Sequence, residues 1–135
     1  MADGRIARIA QTGLRLSLGA TFLSAVAARL GLWGAAGGNW QEFLHYVAEL
    51  NWFLPASLIP AAGVASTILE TTFGGMLIAG WRVRWAAFGS AALLTIFALC
   101  MATGTGPKSP FDYSVFTAAF AALSLTTKYP KEKIT

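Results

Sequence analysis

The apolar residues of this chain are gathered into four blocks, each close to the roughly 20 residues that a helix needs to cross a bilayer. The blocks cover residues 13–32, 56–80, 86–102 and 110–127. Because a backbone in lipid has no water to satisfy its amides, each block must form a helix or part of a closed barrel. The blocks lack the alternation of apolar and polar residues that barrel strands show. The pattern therefore predicts an all-α fold, a polytopic membrane four-helix bundle forming one domain over residues 13–127.

The amount of charge and its placement also indicate a membrane environment. Only 12% of the residues are charged, about half the share found in ordinary soluble domains. The net charge of +4 would suggest nucleic acid if the protein were soluble. Here the cations lie at the ends of predicted helices, where they fit anionic lipid headgroups. The predicted partners are therefore membrane lipids and no nucleic acid.

The same cations predict the orientation of the chain. Arg29 and Lys108 lie on one side of the predicted bundle, and the other cations lie on the opposite side. Those others are Arg5, Arg8, Arg15, Arg82, Arg84, Lys128, Lys131 and Lys133. Since cytoplasmic loops are rich in Lys and Arg, both termini are predicted to be cytoplasmic, with the protein in the bacterial plasma (inner) membrane. Residues 1–12 are then a cytoplasmic basic lead-in, and residues 128–135 a cytoplasmic tail.

An alternative interpretation of the N-terminal region stays open from the sequence alone. The chain begins with several arginines, followed by an apolar run over residues 16–24 and then by Ala25-Val26-Ala27. This order is similar to that of a signal peptide with its cleavage site.

Residues 39–54 predict a fifth helix of a different kind, between the first two spans. Asn39 and Glu42 have the spacing of a capping box, with Asn39 as the N-cap. Apolar residues recur every three or four positions, and His45 and Glu49 fall mostly on the other side. The segment is too polar to span, so it is predicted to be an interfacial amphipathic helix that lies in the membrane plane or caps the bundle. His45, the single histidine, is interpreted as a solvated or interfacial imidazole, and a ligand or proton carrier is the alternative.

Glu70 is the main candidate for function, because it falls near the bilayer centre of the second span. A charge at that depth costs about 2.5–3.5 kcal/mol, so the carboxylate must be paired, protonated, or facing protein or water. Arg29 is the best cationic candidate, although it is expected nearer the outer surface. Ser66 and Thr67, one turn before Glu70, offer hydroxyl groups. Two interpretations of Glu70 stay open: a satisfied polar contact between helices with no further role, and a contact with a ligand, a proton or a quinone.

Two more charged residues complete the candidate intramembrane polar site of Glu70, Arg29, Asp112 and Lys108. Asp112 follows Ser109 and Pro110, a pattern typical of a helix start with serine as the cap. Capping explains Asp112 without a function, and a pair with Lys108 or Arg29 is the competing interpretation.

The cysteine content and the small residues limit the classes of site and partner. A single cysteine, Cys100, excludes an internal disulfide, a CxxC motif and a multi-cysteine metal site. It is interpreted as a small apolar residue. No motif for haem, flavin or an iron–sulfur cluster is present, so no metal and no cofactor is predicted apart from a quinone contact. Small residues at helical spacing predict packing faces, which could also support a homo-oligomer. In the first span these rows are Ser17, Thr21 and Ala25, and Ala20, Ser24 and Ala28. In the second span one face contains Gly63, Ser66, Thr67, Glu70, Gly74 and Leu77.

Three stretches make the chain resemble the DoxX-like family of small four-helix integral membrane proteins. Residues 15–23 fit the pattern R-x-x-L-G-x-x-F-L, and Arg29 stands where members often have lysine. Residues 70–87 fit E-x-x-x-G-x-x-L-x-x-G-x-x-x-R-x-A-A. Residues 108–114, Lys-Ser-Pro-Phe-Asp-Tyr-Ser, resemble the segment before the last helix. The resemblance covers nearly the whole chain.

The resemblance implies a loose range of functions. Members are linked to a thiosulfate:quinone oxidoreductase, to redox-stress complexes and to maturation of other proteins. The first hypothesis is a non-catalytic membrane subunit or partner of a redox system, in contact with another membrane or redox protein and with quinone near Glu70 and Arg29. The alternatives are binding or transport of a small lipophilic solute and a purely structural membrane subunit. A pocket that opens toward Glu70 from the lipid would favour quinone. A cavity that opens to the outer water under the helix of residues 39–54 would favour a solute. A tightly packed bundle with Glu70 fully satisfied inside would favour a structural subunit.

Overall fold

The computed structural model of the protein describes residues 2–129. Within that range it contains helices and turns but no strand, which confirms the all-α prediction. The α-helices are α1 (Ala2–Arg29), α2 (Trp40–Leu50), α3 (Ile59–Ala79), α4 (Val83–Gly104), α5 (Ser109–Asp112) and α6 (Val115–Lys128). Single 3₁₀ turns occur at Ala35–Gly37 and Ala56–Leu58.

Two of these helices are long and apolar enough to cross a membrane. They are α3 with the 3₁₀ turn before it, Ala56–Ala79, and α4, Val83–Gly104; α6 is apolar but shorter. A core helix of a soluble protein can pass the same test, but such a helix is mostly buried. In the most apolar windows of α3 and α4 only 22% and 39% of the residues are buried. Their apolar side chains therefore form much of the outer surface, as expected of helices surrounded by lipid.

The long helices form an antiparallel bundle in which α1 lies against α3, and α6 lies against α4 and α1. The backbones of α1 and α3 come close at two glycines. A Cβ added to Gly19 would lie 3.0 Å from the carbonyl oxygen of Gly74, and one added to Gly74 would lie 3.1 Å from that of Gly19. Helices approach this closely only where both side chains are small. This contact sets the register of α1 on α3.

A tight turn joins α3 to α4. Gly80 and Arg82 both have left-handed backbones, with φ of 73° and 48°. Arg15 Nη1 donates a hydrogen bond of 2.8 Å to the carbonyl oxygen of Leu77, one of the last carbonyls of α3. A cation in this position satisfies an orphan acceptor and complements the helix dipole. The buried core between the helices lies near this end. It consists of Leu18, Phe22, Leu77, Val83, Ala86, Ala87, Ala91, Leu93, Ala122 and Leu125.

The packing face predicted for the second span is confirmed, because all its residues are buried or half-buried: Gly63, Ser66, Thr67, Glu70, Gly74 and Leu77. The faces predicted for the first span differ from the structure. Ser17 and Thr21 are exposed, while α1 packs through Gly19, Phe22 and Val26. Small side chains permit a close approach but do not choose between two such rows. A large side chain such as that of Phe22, which is 2% exposed, fills the interface better than a row of hydroxyl groups.

The amphipathic helix α2 lies over one end of the bundle. Its N-cap is Asn39, whose Oδ1 accepts a hydrogen bond of 3.0 Å from the backbone N–H of Glu42, as predicted. Val47 and Leu50 are buried, whereas His45 is exposed. Two glycines beneath α2 let it pack closely against α3 and α4. A Cβ on Gly63 of α3 would meet the Leu44 side chain, and one on Gly104 of α4 would meet the backbone of residues 49 and 50.

The helix ends differ from the predicted boundaries in several places. The first helix extends back through the basic lead-in to Ala2, and α2 ends at Leu50, four residues before the predicted end. The predicted span 110–127 is divided into α5 and α6, because Ser114 has φ of 55° and interrupts the helical backbone. Ser109 begins α5, and Lys108 occupies the N-cap position that was predicted for the serine. Residues 130–135 of the predicted tail, with Lys131 and Lys133, lie outside the described residues.

Candidate functional site

A buried ion pair joins α1 to α3. Nη1 of Arg29, the last residue of α1, pairs with Oε2 of Glu70 in the middle of α3. The side chains are only 10% and 4% exposed. The same Nη1 donates a hydrogen bond of 3.0 Å to the hydroxyl of Thr67, and Cζ lies 3.9 Å from the centre of the Phe43 ring. The guanidinium is therefore held by a carboxylate, a hydroxyl and an aromatic face, contributed by two other helices.

The two side chains meet because of the direction in which helical side chains point. Gly19 lies beside Gly74 in the antiparallel pair, so Arg29 is level with about position 64 of α3. At 1.5 Å per residue, Glu70 lies about 9 Å deeper in the bundle. Helical side chains lean toward the N-terminus of their own helix. Arg29 therefore leans inward and Glu70 leans outward, and two long side chains close the gap.

The ion pair forms part of the wall of a cavity of about 410 Å³ between α2, α3 and α4. The wall is mostly apolar, with a few polar groups, as is typical of small-molecule sites. Its apolar lining consists of Phe43, Val47, Leu50, Ala62, Leu69, Leu93, Ile96, Phe97 and Met101. Its polar or polarisable lining consists of Arg29, Tyr46, Asn51, Ser66, Glu70 and Cys100.

The cavity reaches the outer surface between α3 and α4. Leu69 and Ile96, which line it, are 41% and 56% exposed. At the basic end of the bundle the two helices lie close together, because the Phe73 ring packs directly on Gly89. Nearer to α2 the cavity separates α3 from α4, and α2 covers that end of the cavity. The opening is thus lateral, through an apolar surface, and the Arg29–Glu70 pair lies behind it.

A second polar group lies on the α2 side of the cavity. The Cys100 thiol donates to Asn51 Oδ1 over 3.8 Å, and Asn51 Nδ2 donates to the carbonyl oxygen of Val47 at 2.9 Å. Burial raises the pKa of the neighbouring Tyr46 phenol, and the nearby Tyr113 and Glu49 raise it further. The Tyr46 hydroxyl is therefore a neutral hydrogen-bond donor at physiological pH.

The structure separates the other two residues of the predicted polar site from the first two. Lys108 Nζ lies 2.8 Å from both carboxylate oxygens of Asp112, in an exposed pair one turn apart. Neither residue lines the cavity. His45 lies 3.6 Å from Glu49 on the exposed face of α2. No group of three His, Cys, Asp or Glu residues suited to a metal ion occurs within residues 2–129.

Several cavity residues were not singled out from the sequence as site residues, namely Phe43, Tyr46, Asn51 and Cys100. Cys100 was interpreted only as a small apolar residue. A signal was nevertheless present, since Leu93, Phe97 and Cys100 recur at helical spacing on one face of α4. The inward placement of Asn51 depends on where α2 ends, which its sequence does not reveal.

Comparison with known proteins identifies one family. The family model described as "Methylamine utilisation protein MauE" matches residues 6–112. The match covers α1 from Ile6 onward, α2 to α5, and every residue that lines the cavity. The chain matches no curated protein and no solved structure.

Proposed function

The chain belongs to the MauE family of methylamine utilisation proteins, which are membrane proteins, and we propose that it is a non-catalytic partner or subunit of a quinone-linked redox system. The family description points to methylamine utilisation as the process that this system serves. A partner role fits a chain with one histidine and one cysteine, which offers no paired thiols for redox chemistry of its own.

The proposal includes a four-span topology. In it α1, α3, α4 and the α5–α6 segment cross the bilayer, and α2 lies in the outer interface. Both termini are cytoplasmic. The placement of Arg15, Arg84 and Lys128 at the end opposite α2 supports this orientation. The architecture is also the one that the DoxX-like resemblance implies, and we propose that the two families share it.

The observation that carries the proposal is the position of the Arg29–Glu70 pair in a cavity that opens sideways between α3 and α4. A purely structural ion pair would be expected in a tightly packed interface, since polar groups in lipid serve as contacts between helices. A site for a water-borne solute would open toward the outer solution, which α2 covers. A lateral apolar opening suits a ligand that arrives from the bilayer. Polar groups at its inner end suit a ligand with a polar head, such as a quinone.

The test is to identify what the intact protein carries out of the membrane. The full chain is extracted with native lipids into nanodiscs, and bound lipids and proteins are identified by mass spectrometry. Two variants form a matched pair, because Ile96 and Leu99 are both 56% exposed on α4 but only Ile96 lines the cavity. Quinone is expected with the wild type and Leu99→Trp, and its recovery is expected to fall several-fold in Ile96→Trp.

Equal recovery of quinone from all three proteins would contradict binding in this cavity. Recovery of a different lipophilic compound, lost only in Ile96→Trp, would favour the alternative function of binding or transporting a lipophilic solute. Wild-type protein that carries no small molecule and no redox protein would contradict the proposed partner role.

A further inference from the structure

We propose that Tyr46, Asn51 and Cys100 form a second polar pole of the cavity, opposite the Arg29–Glu70 pair, and that the two poles hold the two carbonyl groups of a quinone ring. The inference rests on the proposed function, and it assigns the ligand class and its orientation. Three features of the cavity support it: the distance between the poles, the donors that remain free at each pole, and the apolar wall between them.

The two poles are separated along the bundle axis. The Phe73 ring packs on Gly89, so these two residues are level in the antiparallel pair α3 and α4. Glu70 is then level with about position 92 of α4, and Cys100 lies eight residues further toward α2. At 1.5 Å per residue the separation between these two levels is about 12 Å. A six-membered ring with two opposite carbonyl groups, and one hydrogen bond at each end, is of similar length.

Each pole has hydrogen-bond donors to spare. A guanidinium has five N–H groups, and the contacts of Arg29 with Thr67 and Glu70 both use Nη1. The Asn51 amide has two N–H groups, and one of them donates to Val47. Within residues 2–129, the hydroxyl of Tyr46 donates to no other group. A ligand with an acceptor at each end is therefore matched by donors at both.

The wall between the poles is apolar and shaped by two helices. Leu93 and Phe97 of α4 and Val47 of α2 lie between the polar groups and can pack on the faces of a ring. Leu69 and Ile96 border the lateral opening, where an isoprenoid or alkyl tail would leave toward lipid. A carbonyl acceptor favours quinones over hydrocarbons of the same size, because a hydrocarbon would leave free N–H groups of the buried Arg29 unpaired.

The single cysteine of the chain allows a direct test. Cys100 lies at the second pole, so any thiol label reports on that site alone. The full chain in nanodiscs is treated with a membrane-permeant maleimide, and the rate of labelling is followed by intact mass. The probe is decylubiquinone, whose ring has no free position for thiol addition. Decylbenzene, which has the same tail without carbonyl groups, is the control compound.

We expect decylubiquinone to slow the labelling of Cys100 about tenfold or more at saturation, and decylbenzene to have little effect. Asn51→Leu and Tyr46→Phe are each expected to raise the half-protecting concentration about five- to tenfold, the effect of one lost hydrogen bond. Tyr46→Phe removes only a hydroxyl, so it keeps the test informative if Asn51→Leu fails to fold. Lys108→Ala, away from the cavity, is expected to match the wild type.

The outcomes distinguish this inference from the proposed function. Equal protection of the wild type, Asn51→Leu and Tyr46→Phe would overturn the second pole while leaving quinone binding intact. Equal protection by decylbenzene would overturn the assignment of a dicarbonyl ligand. Absence of protection by any compound, together with absence of copurified quinone, would overturn both.

Discussion

Separate removal of the two charges of the Arg29–Glu70 pair is expected to destabilise the protein far more than removal of both together. The perturbation is a double-mutant cycle of Glu70→Leu, Arg29→Leu and the double variant. Loss of one member of a buried pair costs about 3–5 kcal/mol, because the remaining charge stays buried without its partner. Replacement of the whole pair by apolar residues is often close to neutral.

The surroundings of the pair refine these magnitudes. In Glu70→Leu the remaining cation keeps the Thr67 hydroxyl and the Phe43 ring, worth about 1 kcal/mol each, so the expected cost is near the lower limit, about 3 kcal/mol. In Arg29→Leu the carboxylate loses the only cation that pairs with it within residues 2–129, so we expect about 4 kcal/mol. The double variant is expected within about 1–2 kcal/mol of the wild type. The coupling energy is then about 5 kcal/mol or more.

The assay is unfolding in mixed micelles with increasing SDS, followed by tryptophan fluorescence. The exposed pair of Lys108 and Asp112 supplies the control cycle, since exposed pairs contribute only about 0.2–1 kcal/mol. Additive effects of Glu70→Leu and Arg29→Leu would refute the reasoning, because additivity means that neither charge depends on the other. Single variants as stable as the wild type would refute it as well.

Three further predictions concern the packing and the N-cap of α2 and the helix break before α6. Gly104→Val is expected to cost about 1–3 kcal/mol and to speed maleimide labelling of Cys100, because the new side chain meets the α2 backbone and lifts that helix; unchanged labelling would contradict this. Asn39→Ala is expected to cost about 1 kcal/mol in the same SDS titration, since it removes the N-cap of α2, with Asn39→Ser as the control that keeps a cap. Ser114→Gly is expected to stabilise the protein by up to about 1 kcal/mol, because glycine adopts a φ of 55° without strain; a loss of stability would show that the serine side chain contributes at this position.

Some features of the site followed from residues that are close in sequence. The spacing of Asn39 and Glu42 predicted a cap that the structure contains, and the inward face of the second span was read correctly through Glu70 and Gly74. The packing faces of the first span were predicted wrongly. Ser17 and Gly19 are both small, and the choice between the rows that contain them depends on the partner helix. The break at Ser114 was also not predicted, since serine is compatible with a continuing helix.

The candidate site also has features that the sequence predicts and features that it does not. The burial of Glu70 and its need for a partner followed from the sequence, and Arg29 was among the named candidates. The separation of Lys108 and Asp112 from that pair did not follow, because Arg29 and Lys108 are predicted at the same end of the bundle. The choice of partner depends on the axial level of each helix, and a pattern within one helix carries no information on that level.

The sequence by itself determined that the chain is helical, that its surface is apolar, and that one carboxylate on the second span must be compensated. These properties depend on the length and periodicity of single segments and on the cost of placing a charge in lipid. Only the tertiary structure decided which cation pairs with Glu70. It also decided that a cavity remains beside the ion pair. The contact between Gly19 of α1 and Gly74 of α3 sets the axial position of Arg29 relative to Glu70. The helix α2 packs on Gly63 and Gly104 and covers the gap between α3 and α4. Both depend on how separate helices fit together, because a helix fixes the direction of its side chains but not the position of its neighbours.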